Sequence, residues 1–479
     1  MGKVDVVVIG SGAAGSVMAY RLARSGLRVV VLERGRREDT STFSHNEFDM
    51  VPRLYKESGL QTTVDNAIVI MQGATVGGST VINNAIWLRP DLNRILASWD
   101  ARGAHVDRQR LEHAYEDIEN ALGVAPIPTN MMSAGTNAFL RGCNTLGLKA
   151  GALRHNRDTC IGCGFCNYGC RYDRKTSMLV TFIPWAEARG AFVYDQVEHV
   201  TLIERGDSIA HVNFERFGRS ERLTPDAVVV TCGAIGSSEL LLRNRIRSKY
   251  RIGEGFHFLG GSLVVADMNE QLGSFDKIGL TAMVEETGAE WVIENFFAPP
   301  AAFAVSLNGF MSNHAKRMQR YNFFAQAGVM VGTEPTGRIL INDDGMVELH
   351  YTLSETDLGR LRRGLKQLSQ IFLSAGAQAV YPGTYLDLTV TKPSELGQID
   401  VAVKKTEDLL IGSAHPQGGN AMSEDPSRGV VGCDFRVHGY RNLFVADTSV
   451  WPTNLWANCQ ATAMAMSYVA ADFVLKGAS

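Results

Sequence analysis

A chain that runs from a short apolar strand straight into Gly10-Ser11-Gly12-Ala13-Ala14-Gly15 has few folds open to it. Asp5-Val6-Val7-Val8-Ile9 reads as a buried parallel strand. Residues 16–24 then read as a helix with Val17, Leu22 and Ala23 on its apolar positions, and Gly26 as its C-terminal cap. Residues 27–33 read as a second strand that ends in Glu33. This is the full strand–turn–helix–strand context of a dinucleotide site. Gly10 permits the turn, Gly12 lets the backbone approach a pyrophosphate, and Gly15 lets the helix pack close to the strand. The helix N-terminus then faces the phosphate charge, Glu33 is placed to accept from a ribose hydroxyl, and Arg34 follows it. The motif alone does not separate FAD from NAD.

The 479 residues suggest two to four folding units. A composition of 45% hydrophobic and 20% charged residues suits a globular chain with a full core. The formal net charge of −3 supplies no general attraction to nucleic acid or to an anionic membrane. Apolar runs have strand length and fall short of a bilayer span, so no transmembrane anchor is expected. The first residues lack a secretory pattern, and the cytoplasm is the expected location.

Four further segments carry a resemblance. Gly73-Ala74-Thr75-Val76-Gly77-Gly78-Ser79-Thr80-Val81-Ile82-Asn83-Asn84-Ala85, with Arg89 after it, resembles the first signature of the glucose–methanol–choline (GMC) oxidoreductases. Cys232-Gly233-Ala234-Ile235-Gly236-Ser237-Ser238-Glu239 is similar to their second signature, without its usual proline. His415-Pro416-Gln417-Gly418-Gly419 resembles their catalytic segment, and residues 436–458, through Asp447 and Asn458, resemble their C-terminal block. The resemblance implies an α/β fold: a doubly wound FAD-binding domain plus an α+β substrate domain on an antiparallel sheet with helices on its outer face. It implies FAD as cofactor, contacted along Gly73, Val76, Gly78, Ser79, Asn83, Asn84 and Ala85. It also implies contacts at Val197, at Cys232 and Gly233, at Asp447 and at Asn458. The corresponding division is 1–150, 181–255 and 405–479 for the FAD-binding parts, 151–180 for a cysteine-rich insertion and 256–404 for the substrate domain.

Oxidising an alcohol removes a hydroxyl proton and a hydride from one C–O unit. A flavin takes the hydride, so the protein must supply a proton acceptor. Histidine suits that task near neutral pH. The family carries its base where this chain has His415, and a second polar residue where it has Asn458, which would hydrogen-bond the same hydroxyl. Cys459 stands where many relatives have proline. His438 reads as a turn residue, and His257 has no assigned role.

Cys160, Cys163, Cys166 and Cys170 form a Cys-x2-Cys-x2-Cys-x3-Cys run. That is the spacing of bacterial ferredoxins, whose thiolates hold an iron–sulfur cluster. A [4Fe–4S] cluster is the expected occupant, with Arg171, Arg174 and Lys175 offsetting its charge. Zinc and free thiols are the alternatives, and Cys143 is the substitute for Cys170 as fourth ligand. A cluster would make the protein a dehydrogenase that passes single electrons to an acceptor protein or a quinone. The competing readings are an oxygen-using long-chain-alcohol or sterol oxidase without a cluster, and a non-catalytic electron-transfer flavoprotein. The substrate expected is a small-molecule alcohol.

Residues 354–375 read as an amphipathic helix, with Leu358, Leu361, Leu365, Leu368 and Phe372 on one face and Ser354 at its start. Its basic residues form either a solvated face or a docking surface for an acidic partner. Residues 295–303, rich in Phe, Ala and Pro, either line the substrate side or pack on core.

Overall fold

The structure is a computed structural model in which residues 2–285 and 291–478 are described. Residues 286–290, inside the expected substrate domain, lie outside them. The N-terminal segment folds as its pattern dictates. The strand Gly2–Ile9 pairs in parallel with Val29–Leu32 on one side and Arg219–Val230 on the other. Phe192–Tyr194 extends the sheet beyond Val29–Leu32, and Leu443–Val445 extends it beyond Arg219–Val230. Numbered along the chain, these five parallel strands stand in the order 3-2-1-4-5, the arrangement of a doubly wound nucleotide fold. Their interior positions are Val, Ile and Leu because both faces are covered. The antiparallel strands Ser208–Arg216 and Val197–Arg205 extend the same sheet.

The first helix is Ala13–Arg24, three residues earlier than expected, and it starts directly behind Gly12. Ala13 and Ala14 read as turn beside the glycines, yet alanine is the strongest helix former and needs no further signal. Gly26 closes the helix at φ +86°. Its N–H donates to the Ala23 carbonyl at 2.9 Å and that of Leu27 to Leu22 at 3.3 Å, the two bonds of a Schellman end.

A second sheet is built on the 15-residue strand Glu254–Met268. Phe324–Gly332 pairs antiparallel along one edge. Along the other edge lie Ala377–Pro382, Ile411–Ser413 and Pro416–Gln417. Helix Glu355–Ser374 covers the outer face with Leu358, Leu361, Leu365, Leu368 and Phe372 buried, and Ser354 caps it by accepting from the Asp357 N–H at 3.1 Å. Ala134–Thr145 packs beside that helix, and Ile68–Ile70 and Ala150–Ala152 join the second sheet's edges. Chain segments numbered within 1–150 therefore serve the second sheet as well as the first.

The two sheets are stitched together near residue 415. The chain leaves the second sheet at Pro416–Gln417, returns to the first at Leu443–Val445, and enters helix Cys459–Ala478, which packs on Ala13–Arg24. Ser467 Oγ donates to the Ala14 carbonyl at 2.7 Å. No helix among the described residues is long and apolar enough to cross a membrane.

Candidate active site

A groove of about 680 Å³ runs along the C-terminal ends of the parallel strands. Gly10, Gly12, Ala13, Ala14, Glu33, Arg34, Gly73, Gly78, Ser79, Asn83, Val197, Cys232, Gly233, Asp447 and His415 all line it. These were the residues expected along a dinucleotide, and the fold brings them together from far-apart segments. The glycines differ in what they do. A Cβ on Gly15 would stand 1.8 Å from the Gly10 carbonyl oxygen, so helix and strand touch there backbone to backbone. A Cβ on Gly12 would meet nothing within 4 Å. That bare backbone faces open groove, where a pyrophosphate needs close approach and unpaired N–H groups.

Glu33 is held rigidly. Its Oε2 accepts from the Ser11 N–H at 2.9 Å and the Ser11 hydroxyl at 2.7 Å, and its Oε1 from the Gly35 N–H at 2.8 Å. Oε1 keeps one lone pair for a ribose hydroxyl. Asp447 is buried and accepts from the Gly233 N–H at 2.9 Å and the Ser449 N–H at 2.8 Å, and from the Ser237 hydroxyl. It ties together the starts of two helical segments; burial pushes its carboxyl up. Six expected cofactor positions do not line the groove, Asn458 among them, which stands beside His415. Ser11 braces Glu33, Gly15 serves packing, Val76 is buried in a separate apolar cluster, and Asn84 turns its amide to Asn167 at 3.2 Å. Ala85 sits at φ +60° with its N–H on Asn83 Oδ1 at 3.0 Å.

At the inner end of the groove stands His415. Its N–H donates to Ser413 Oγ at 3.0 Å and its carbonyl accepts from the Leu259 N–H at 3.3 Å, which fixes the backbone against the second sheet. Burial pushes its imidazole down to about 4, so the ring is neutral at ordinary pH. Asn458 Nδ2 lies 3.4 Å from His415 Nε2. Asn458 is held by the loop before it, where Asn454 donates to the Phe258 carbonyl at 2.7 Å and Gln417 accepts from the Leu455 N–H at 3.1 Å. Cys459 takes the first helical position, a place that suits proline without requiring it. A neutral imidazole, a side-chain amide and a nucleotide groove thus converge on one point.

Family models agree with this geometry. The GMC oxidoreductase N-terminal model matches residues 51–258, the C-terminal model matches residues 333–467, and an FAD dependent oxidoreductase model matches residues 5–61. The chain belongs to the GMC oxidoreductase family. It is 28% identical to an uncharacterized GMC-type oxidoreductase of Mycobacterium tuberculosis, over 98% of this chain and 75% of that one. It is 26% identical to a long-chain-alcohol oxidase of Arabidopsis thaliana, over 97% of this chain and 66% of that one. A crystal structure of pyridoxine 4-oxidase has the same fold, with a TM-score of 0.75 at 16% identity over 98% of each chain. This GMC oxidoreductase is an FAD enzyme with a two-part α/β architecture.

The expected [4Fe–4S] cluster finds no support among the described residues. Arg157 Nη1 donates to Cys166 Sγ at 3.0 Å and to Cys160 Sγ at 3.8 Å, and Cys170 Sγ accepts from the Lys175 N–H at 3.4 Å. Among the described residues no three His, Cys, Asp or Glu side chains are gathered so as to hold a metal ion. Cys143, the substitute ligand, is buried in the apolar core of the second sheet. Lys175 is buried, with Nζ donating to the carbonyls of Val81 at 2.6 Å, Asn83 at 2.8 Å and Cys166 at 2.8 Å, and its charge acts on the thiols of Cys166, Cys170 and Cys163. The run is therefore clamped against the groove loop 81–84 by Lys175 and Arg157.

Some groove residues were not expected from sequence. Lys56 joins the expected Arg34 in flanking Glu239, at 3.8 and 3.7 Å, on the groove wall. Gln460 accepts from Asn83 Nδ2 at 2.6 Å and donates to the Ile86 carbonyl at 2.9 Å, joining the last helix to the groove loop; its place two residues after Asn458 was the available hint. Phe297, Ala298 and Phe303 pack in an apolar cluster with Phe324, so residues 295–303 pack on core. His438 Nε2–H donates to the Ser423 carbonyl at 2.9 Å, as a turn residue does. His257 is buried against the Gly255 carbonyl at 2.8 Å.

Proposed function

We propose that this GMC oxidoreductase oxidises an alcohol to the aldehyde or ketone, with His415 as the base and Asn458 as the hydrogen-bond partner of the reacting hydroxyl. FAD, when bound in the groove, supplies the acceptor for the hydride. The observation that carries the reading is the 3.4 Å approach of Asn458 Nδ2 to His415 Nε2 at the inner end of the groove. A hydroxyl between them donates to Nε2 and accepts from the amide, which fixes the carbinol in one orientation. His415 is neutral because it is buried, so Nε2 is free to take a proton. Gly12, Glu33 and Asp447 are the residues that would hold the pyrophosphate and the ribose.

A primary aliphatic alcohol is the substrate class we favour, since a long-chain-alcohol oxidase is among the relatives at full coverage of this chain. Dioxygen is the acceptor that goes with that reading, since that relative is named an oxidase. A non-catalytic electron carrier would need neither His415 nor Asn458. The test is the absorption spectrum of the FAD-loaded protein under nitrogen, before and after a panel of alcohols from ethanol to hexadecanol. Bleaching of the flavin by one class supports the proposal. His415→Ala is expected to keep its flavin and to slow that bleaching by at least about 100-fold. Bleaching by no alcohol, or equal rates in the variant, would sink the reading.

A further inference from the structure

Ile293 on the strand Val292–Asn295 points into the apolar core beneath helix Glu355–Ser374. Glu294 therefore points to the opposite face of the sheet, and there its carboxyl hydrogen-bonds the Asn458 side chain. It is 3% exposed, and its Oε1 has no partner. The residues opposite it on the flanking strands, Met283 and Gly328, are uncharged, as is Gln326 further along the same face. Burial, then the Asn458 bond, are the influences on its ionisation, and no charged group adds to them. A carboxyl buried without a counter-ion is costly, and such groups gather at sites of chemistry.

The Asn458 amide decides what that carboxyl does. Its Nδ2 faces both Glu294 and His415 Nε2, while its Oδ1 has no partner. An ionised Glu294 can only accept, so it demands the NH2 end of the amide. The NH2 end in turn demands an Nε2 that accepts, which is the hydrogen-free tautomer a base needs. A protonated Glu294 has an O–H to donate, and donation calls for the amide turned over. Oδ1 would then face His415, and the ring would meet it with Nε2–H.

We propose that Glu294 is a positioning residue: through the Asn458 amide it holds His415 in the tautomer whose Nε2 carries no hydrogen. This rests on the roles proposed above for His415 and Asn458. Because burial lifts Glu294 to about 7, the switch falls within the working range of pH.

The test uses the FAD-loaded full chain with 15N-labelled histidine side chains, read by NMR across pH. The His415 signals are identified by their loss in His415→Gln. In the wild type the hydrogen is expected to move off Nε2 with a midpoint near pH 7, and in Glu294→Gln this transition is expected to vanish with the flavin spectrum unchanged. A Glu294→Gln protein whose His415 signals trace the wild-type curve would overturn the proposal. Should that variant fail to fold, Glu294→Asp keeps a carboxyl on a shorter stem; a displaced midpoint supports the proposal and an unchanged one overturns it. With a reducing alcohol, Glu294→Gln is expected to lower kcat by about 10-fold at constant KM and to lose the neutral limb of the rate profile. The tautomer measurement needs no substrate, so failure of the alcohol-oxidation reading and failure of the coupling are told apart.

Discussion

At the residue scale, three imidazoles are kept neutral by burial, those of His155, His257 and His415. His415 and His257 are both pushed down to about 4, against 6.5 in an unfolded chain. The unfolded chain therefore binds protons first as pH falls. The contribution of His415 and His257 to stability is unchanged above 6.5, declines between 6.5 and about 4, and levels off below. Each histidine accounts for about 3 kcal/mol of that decline. Thermal melts across that window are expected to show a falling Tm, and His257→Gln is expected to make the curve shallower. Glu294 moves the other way, since burial raises it and its neutral form is the one the fold favours. Nothing in sequence marks it: one glutamate in a strand is unremarked until a loop more than a hundred residues downstream sets Asn458 against it.

At the scale of elements, the phosphate-binding turn and the cysteine run make opposite demands. The turn needs an absent side chain. Gly15→Ala would drive a methyl into the Gly10 carbonyl, which is backbone and cannot step aside. A cost of more than about 3 kcal/mol and loss of bound flavin are expected, by denaturant titration and by flavin absorbance of the purified variant. The cysteine run needs a present one. Lys175 holds three backbone carbonyls, although burial pulls its own ammonium down to about 8. Lys175→Met is expected to cost about 3 kcal/mol and to weaken FAD binding, because the groove loop loses its clamp; a chemical melt and a fluorescence titration check both. The strand–turn–helix of the N-terminus was legible because its requirements are local: spacing, glycine and an apolar strand. The helix Glu355–Ser374 was legible for the same reason, and its basic residues turn out to pair within the chain, Lys366 with Asp400 at 2.8 Å and Arg360 with Asp357 at 3.3 Å. The cysteine spacing was equally local, but a ligand set also needs the thiolates to converge, and that depends on what Arg157 and Lys175 do from outside the run.

At the scale of the whole molecule, the groove is bounded by segments from across the chain. A ligand that binds only when these are assembled stabilises the assembly by mass action. Removing FAD is therefore expected to lower the melting temperature by several degrees, and FAD at 100 times its Kd to return about 2.7 kcal/mol; scanning calorimetry of apo and loaded protein decides it. The family motifs made the groove's membership legible because each is a short run with fixed spacing. The meeting of Glu294, Asn458 and His415 was not, since it depends on how two sheets lie against each other. The docking of helix Cys459–Ala478 onto Ala13–Arg24 sets an order of events during synthesis. The strand and helix that brace the phosphate-binding turn from behind are translated hundreds of residues after the turn itself. Until then its backbone amides stand in a half-built pocket, so cofactor capture waits on Leu443–Val445 and Cys459–Ala478, and a ribosome stalled before Leu443 would display a nascent chain unable to retain a flavin.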